Sequence, residues 1–196
     1  MPFNLNEFKS SFNRQSFAKQ NNFDVLFTLP LGLIEDSRSL SLRCETIEFP
    51  GRAMTAIDTY RGRGYDISVN VPYGGIHMEL GATFICSEDL REKEIFEEWQ
   101  DKIIGNYRQG NNITQRTQFN PGYYDDWIKP CSMEIRQYNE AGEKTYEVQL
   151  IEIFPRTINP LSSSWASSEF HKLQVSFNYR YYRQKRNRNP FNDLLT

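Results

Sequence analysis

The sequence is poor in the side chains that most often carry chemistry. It has two histidines, His77 and His171, and three cysteines, Cys44, Cys86 and Cys131. The cysteines are far apart, form no C-x-x-C pair and have no histidine nearby, which excludes a zinc motif or a disulfide framework written in the spacing. Buried reduced thiols are the expectation. Neither histidine has a carboxylate or cysteine at ligand spacing, and H-E-x-x-H, G-x-S-x-G and G-x-x-x-x-G-K-[ST] are absent. Adjacent acids such as Glu97 and Glu98 point apart on a helix and read as a solvated face, not a converging pair. The expectation is a chain that is not an enzyme, with no catalytic residue, cofactor or metal.

Long apolar runs are also missing. None approaches the roughly 18 residues of a membrane-spanning helix. The start, MPFNLNEFKSSFNRQ, lacks the basic-then-apolar order of a signal peptide. A protein made and kept in the cytosol, without membrane anchoring, is expected. Nor is there much net charge: −2, with a pI near 5.8, gives no global attraction to nucleic acid. Two local basic features remain. Arg61-Gly62-Arg63-Gly64 does not precede a helix that would supply an anion site, so it reads as a positively charged loop tip. The tail from about 183 to 196 sets Arg183, Lys185, Arg186 and Arg188 among tyrosine and asparagine. That composition could grip phosphates, but it also suits a solvated tail or one docked on acidic residues.

What the chain has in quantity is aromatic and β-branched residues, with 14 Phe and 11 Tyr, which suit half-buried pleated surfaces. Period-two alternation recurs along it. Phe23, Val25, Phe27 and Leu29 predict a first strand. Leu40, Leu42 and Cys44 begin a second, with a phase slip before Ile47 and Phe49 that predicts a bulge, ended by Pro50-Gly51. Tyr65 to Val71 and Leu80 to Phe84 read as a hairpin around Gly74-Gly75. Met133, Ile135 and then Tyr146, Val148, Leu150 flank a turn at Asn139 to Gly142, with a second slip at Leu150-Ile151 before the run reaches Pro155. Leu173, Val175, Phe177, Tyr179 and Tyr181 read as one regular strand with a buried and a wetted face.

One helix is predicted, from about Glu88 to Ile104, with Ser87 as N-cap, Gly105 as terminator and Phe96, Trp99 and Ile103 on its packed face. The first twenty residues carry Leu5, Phe8 and Phe12 at helical spacing and read as an N-terminal arm. Asn106 to Lys129 is polar and without period. About seven strands and one helix give the expected fold: mainly β, an antiparallel β-sandwich or barrel with one flanking α-helix, in a single domain over residues 1–196.

Four ordered segments resemble one family. Ser16-Phe17-Ala18-Lys19-Gln20-Asn21-Asn22-Phe23-Asp24-Val25 is similar to the opening of the tail tube proteins of contractile-tailed, T-even-like bacteriophages. Arg43 to Gly51, RCETIEFPG, resembles their second strand and the turn where a long loop begins. Ile95-Phe96-Glu97-Glu98-Trp99-Gln100 resembles their helix. Ile153-Phe154-Pro155 followed by Leu173 to Tyr179 resembles their closing strands. The resemblance spans about residue 16 to 182, leaving Asn106 to Lys129 and the basic tail outside the pattern.

The resemblance implies a subunit that closes into hexameric rings, stacked as the inner tube of a contractile tail. The subunit would be assembled in the host bacterial cytoplasm and would end in the virion tail. Itself, the sheath, baseplate and tail terminator proteins are the implied partners. Double-stranded DNA would pass through the lumen without specific recognition. Phe8 and Phe12 of the arm, and Pro50, Gly51, Arg61 and Arg63 of the loop, are the expected inter-subunit contacts. A tube subunit of a bacterial contractile injection device, such as the type VI secretion system, would resemble the same pattern. A ligand-binding β-sandwich using Tyr123-Tyr124-Asp125-Asp126-Trp127 as a platform is the reading from another class.

Overall fold

A computed structural model describes residues 17–33, 37–60, 68–105, 122, 124–166 and 168–185. Its elements are β1 (Phe23–Thr28), α1 (Ser37–Leu42), β2 (Cys44–Ile47), β3 (Arg52–Tyr60), β4 (Ser68–His77), β5 (Leu80–Ile85), α2 (Arg91–Ile104), α3 (Tyr124–Trp127), β6 (Ser132–Tyr138), β7 (Lys144–Ile151), β8 (Phe154–Ile158), β9 (Lys172–Asn178) and β10 (Tyr181–Gln184). The chain is mainly β. Two four-stranded sheets have the orders β1-β6-β7-β10 and β2-β5-β9-β8, all pairs antiparallel, and β3 pairs with β4 as a separate ribbon.

Alternation explains how the sheets stack. Val25 and Phe27 of β1, Met133 and Ile135 of β6, and Val148 and Leu150 of β7 are buried on one inner face. Leu80, Ala82 and Phe84 of β5, with Leu173, Val175 and Phe177 of β9, are buried on the other. Phe27 bridges them, its ring 5.9 Å from Phe84 and 6.0 Å from Phe177. Among the described residues the sheets stay open, so the architecture is a sandwich and not a closed barrel. One gap between them is filled by α2, whose Phe96 lies 5.0 Å from Phe84 and 5.6 Å from Phe177. The amide of Gln100 donates to the carbonyls of Pro155 and Arg156 at 3.1 and 3.2 Å, which satisfies acceptors of the β8 strand. Further aromatic pairs are Phe49 with Tyr146 at 5.7 Å and Tyr179 with Tyr182 at 6.2 Å.

Several sequence expectations need correction. Residues 37 to 42 are helical, not the start of a strand: the Ser41 hydroxyl donates to the Ser37 carbonyl at 2.8 Å, Leu40 is buried and Leu42 is exposed. Three alternating positions were too few to separate the two periods. The strand carrying Val69 and Val71 pairs with β3, not with β5, and Gly74-Gly75 lie inside it. Pro72 has no N–H to give a ladder, and it sits where the register shifts between Thr55 and Ala56, so Tyr73 is the extra residue of a bulge. The final run divides between the sheets: β9 ends at Asn178, and β10 pairs with β7 in the other sheet after the Arg180 N–H donates to the Ile151 carbonyl at 3.1 Å. The slip near Cys44 and the β6–β7 hairpin are as expected, the latter turning at Gly142 with φ 78°.

The helix begins at Arg91, after Leu90 in a left-handed conformation, so Glu88 and Asp89 precede it; it ends as expected on Gly105, φ 80°. Nor does it show every charge to water. Glu92 is buried and accepts from the Ser87 N–H and hydroxyl at 2.8 and 2.9 Å, and from Arg43 at 3.0 Å. Burial alone pushes the Glu92 carboxyl up, but the Ser87 donors, its own N–H and Arg43 outweigh this and hold it below the usual range. A folded pKa below the unfolded one stabilises above the unfolded pKa, and that stability is lost as pH falls through the folded value. Glu92→Gln should therefore cost about 1–3 kcal/mol in urea unfolding at pH 7. The difference from the parent should shrink as pH falls below the usual carboxylate range; a deficit that does not change with pH would contradict this role.

Candidate assembly surface

The β3–β4 ribbon is the most exposed structure in the fold. From Arg52 to Asp58 and Val69 to His77, every residue but Thr55 is exposed. Nine residues of β3 at roughly 3.3 Å each make an arm about 30 Å long. Its register sorts the side chains. Ala53, Thr55 and Ile57 oppose Ile76, Gly74 and Val71, making an uncharged face with Ile57 54%, Val71 43% and Ile76 58% exposed. The reverse face pairs Arg52 with His77 and Asp58 with Asn70, whose amide donates to the Asp58 carboxylate at 3.0 Å. A lone two-stranded hairpin is marginal in water, so exposed aliphatics along one side make this a candidate surface for contact with another molecule.

The root of the ribbon is firmly packed. The Gly51 carbonyl accepts from the Met78 N–H and the Tyr179 hydroxyl, both at 3.4 Å. His77 lies 5.5 Å from the Tyr179 ring and 5.6 Å from Tyr182. A Cβ at Gly51 would fall 2.9 Å from the Met78 sulfur, the far end of an exposed, flexible side chain that can shift to admit it. Pro50 and Gly51 lie immediately before β3, where the ribbon leaves the sandwich. The other expected contact residues, Phe8, Phe12, Arg61 and Arg63, lie outside the described residues. Sequence reasoning missed Ile57 and Ile76, although Ala53, Thr55 and Ile57 do alternate; threonine and aspartate made the run resemble a loop.

A second exposed apolar region lies in the β8–β9 connection, where Trp165 is fully exposed and Phe170 is 81% exposed. The aromatic run weighed as a ligand platform makes contacts within the chain, with Tyr124 exposed and Trp127 half-buried. The Tyr124 hydroxyl bonds the Glu152 carboxylate, which also accepts from Arg180 at 3.1 Å. The Trp127 carbonyl accepts from the Trp99 indole at 3.0 Å, and Lys102 lies 5.0 Å over the Trp127 ring. Tyr123 lies outside the described residues.

The start of the basic tail is neutralised within the chain. Lys185 pairs with Glu134 at 2.9 Å and with Glu147 at 3.5 Å, and Arg136 joins the same two carboxylates. Burial pushes the Glu147 carboxyl up, but Lys144, Lys185 and Arg136 together hold it below its usual range. Arg183 lies 5.3 Å over the Tyr181 ring. The thiols are similarly quiet. Burial pushes Cys44 and Cys131 up to about 12, and burial with the Glu92 carboxylate raises Cys86. Native protein at pH 7 should take up almost no maleimide in minutes and react at all three cysteines in denaturant. Rapid native labelling would contradict the packing around them.

The phage tail tube protein family model matches residues 18–185. The chain belongs to the phage tail tube protein family. That match runs through both sheets, α2 and the ribbon. Solved structures with similar folds agree. A chain in the baseplate of the anti-feeding prophage aligns with a TM-score of 0.58 at 11% identity, covering 87% of this chain and 97% of that one. A chain in the tube-terminating cap of the same particle gives 0.57 at 15% identity, covering 88% and 93%. One in the sheath–tube complex of the extracellular contractile injection system PVC gives 0.57 at 12% identity, covering 90% and 97%. At such identities the likeness is one of fold. No curated protein matches the sequence. For a tail tube family member, the exposed ribbon is the natural candidate for joining subunits.

Proposed function

We propose that this chain is a structural subunit, not an enzyme, that self-assembles into stacked hexameric rings forming the inner tube of a contractile phage tail. The carrying observation is the ribbon: a tube-family fold holds an arm of about 30 Å clear of its core with an uncharged aliphatic face exposed. Ring stacking would cover that face. The sheath, baseplate and terminator proteins are the proposed partners, because the solved relatives come from a baseplate, a cap and a sheath–tube complex. Double-stranded DNA passes through the lumen unread, and a net charge of −2 is compatible with a wall that does not grip phosphates. The subunit is assembled in the host cytoplasm and ends in the virion tail.

A second reading, the tube of a bacterial contractile injection device, is favoured by the sources of those same solved relatives. The contents of purified particles, DNA or protein, separate the two. Assembly itself is tested by negative-stain microscopy with light scattering across protein concentration and salt. Rings or hollow tubes of uniform diameter are expected; a strict monomer under every condition would overturn self-assembly.

A further inference from the structure

The last strand is held differently from the rest of the sandwich. None of the four residues of β10 is buried: Tyr181 and Tyr182 are half-buried, and Arg183 and Gln184 are exposed. Burial therefore does little to keep β10 on β7, and a short strand at a sheet edge has few ladder bonds to hold it. Charge marks both of its ends instead. Before the strand, the Arg180 guanidinium donates to the Glu152 carboxylate at 3.1 and 3.2 Å, and the Tyr124 hydroxyl bonds that same carboxylate. After it, the Lys185 ammonium spans Glu134 and Glu147. The cations are the exposed partners, 65% for the Arg180 side chain and 46% for Lys185, whereas Glu147 and Glu152 are buried. Glu152 moreover has φ 57°, a left-handed conformation that favours glycine and strains other residues. A glutamate held in such a conformation points to a use for its carboxylate.

We infer that β10 is an ionic latch, clipped at one end by Arg180 on Glu152 and at the other by Lys185 on Glu134 and Glu147, which opens in acid or high salt while the sandwich stays closed, and which steadies the root of the ribbon through Tyr182. The sandwich stays closed because its converging rings, Phe27, Phe84, Phe96 and Phe177, belong to β1, β5, α2 and β9. The root responds because the Tyr182 ring lies 5.6 Å from His77, the last residue of β4, and 6.2 Å from Tyr179, whose hydroxyl donates to the Gly51 carbonyl. Acid acts through the two buried carboxylates. Tyr124, with Arg180 and the more distant Lys129, holds Glu152 below the usual carboxylate range against its burial. Around Glu147, burial is outweighed by Lys144 on its own strand, Lys185 and Arg136; Arg136 also binds Glu134 and opposes Asp24 of β1, which pairs with Arg38. With both folded values below the unfolded ones, the clips are complete above the carboxylate range and are lost as pH falls through the folded values. Salt acts through the exposed cations, whose attraction it screens.

The latch is tested on the dispersed subunit, so its failure leaves the tube reading untouched. Arg180→Gln with Lys185→Gln removes both clips at constant pH. Amide exchange at residues 181–184 should quicken by about tenfold or more against the parent, while β5 and β9 keep their protection. Proton resonances of the His77 ring, assigned with the help of His171→Gln, should at the same time lose part of the ring-current displacement that Tyr179 and Tyr182 impose. The parent chain in about 1 M salt needs no substitution and should move the same way, since charges are screened there within roughly 3 Å. Unchanged exchange of residues 181–184, in the double variant or in salt, would overturn the latch. Equal loss of protection in β5 and β9 would show that the clips hold the whole fold, and would overturn it too. A freed β10 with the His77 resonances unmoved would overturn the link to the ribbon.

Discussion

Val71→Asp combined with Ile57→Asp should abolish tubes at concentrations where the parent chain assembles, and leave the subunit folded. The two side chains are neighbours on one face of the ribbon, since Ile57 and Val71 are direct cross-strand partners. Both are exposed in the isolated chain, so the carboxylates cost the monomer little beyond their mutual repulsion. In an assembled stack the same carboxylates would be desolvated without a partner, at a penalty of several kcal/mol. Assembly should need a concentration raised by about a hundredfold or more, each tenfold being 1.4 kcal/mol. Melting of the dispersed subunit should move by no more than about 2 °C. Tubes at parental concentration would show that this face meets nothing. A large fall in melting temperature would show that it packs within its own chain.

The largest stability loss is expected at Phe84. Its ring is fully buried where both sheets and the helix converge, 5.9 Å from Phe27, 5.0 Å from Phe96 and 6.5 Å from Phe177. Truncation opens a cavity that no single neighbour can fill, because the three facing rings belong to β1, α2 and β9 and each is fixed by its own element. Phe84→Ala should cost about 3–5 kcal/mol in urea unfolding, or roughly 10 °C or more in melting temperature for a chain of this size. Phe170→Ala, at the exposed loop, should leave both unchanged in the dispersed subunit. A loss below about 1 kcal/mol at Phe84 would mean that the aromatic junction is not the core of the fold.

The parts of this fold legible in the sequence are those where one local period holds. The β6–β7 hairpin reads directly, because Met133, Ile135, Val148 and Leu150 alternate around a turn with glycine at its left-handed position. The packed face of α2 reads equally well through Phe96 and Trp99. Pairing is less legible. Gly74 and Gly75 look like a turn that would set β4 against β5, whereas its partner comes from the preceding segment, whose small and polar residues hide a strand. The break after β9 is masked because Tyr179 and Tyr181 continue the alternation, while only the burial of Tyr179 and the pairing of Tyr181 with Ile151 show that the chain has changed sheets.

The candidate assembly surface is legible only in part. The resemblance implies a long loop after Pro50-Gly51, where the structure has the β3–β4 ribbon. Its aliphatic face depends on cross-strand register, which period alone does not supply. Trp165 sits in a serine-rich connection without period, so its exposure emerges only from the fold.

Amide hydrogen exchange of the ribbon, in dispersed subunits and in assembled tubes, tests the central claim most directly. Backbone amides of residues 52–58 and 69–77 should exchange fast in the dispersed chain, where a lone hairpin opens easily, and slow by about a hundredfold or more on assembly. The amides of β5 and β9 should be protected in both states. Equal exchange of the ribbon before and after assembly would mean that it takes no part in holding subunits together, and would contradict the account.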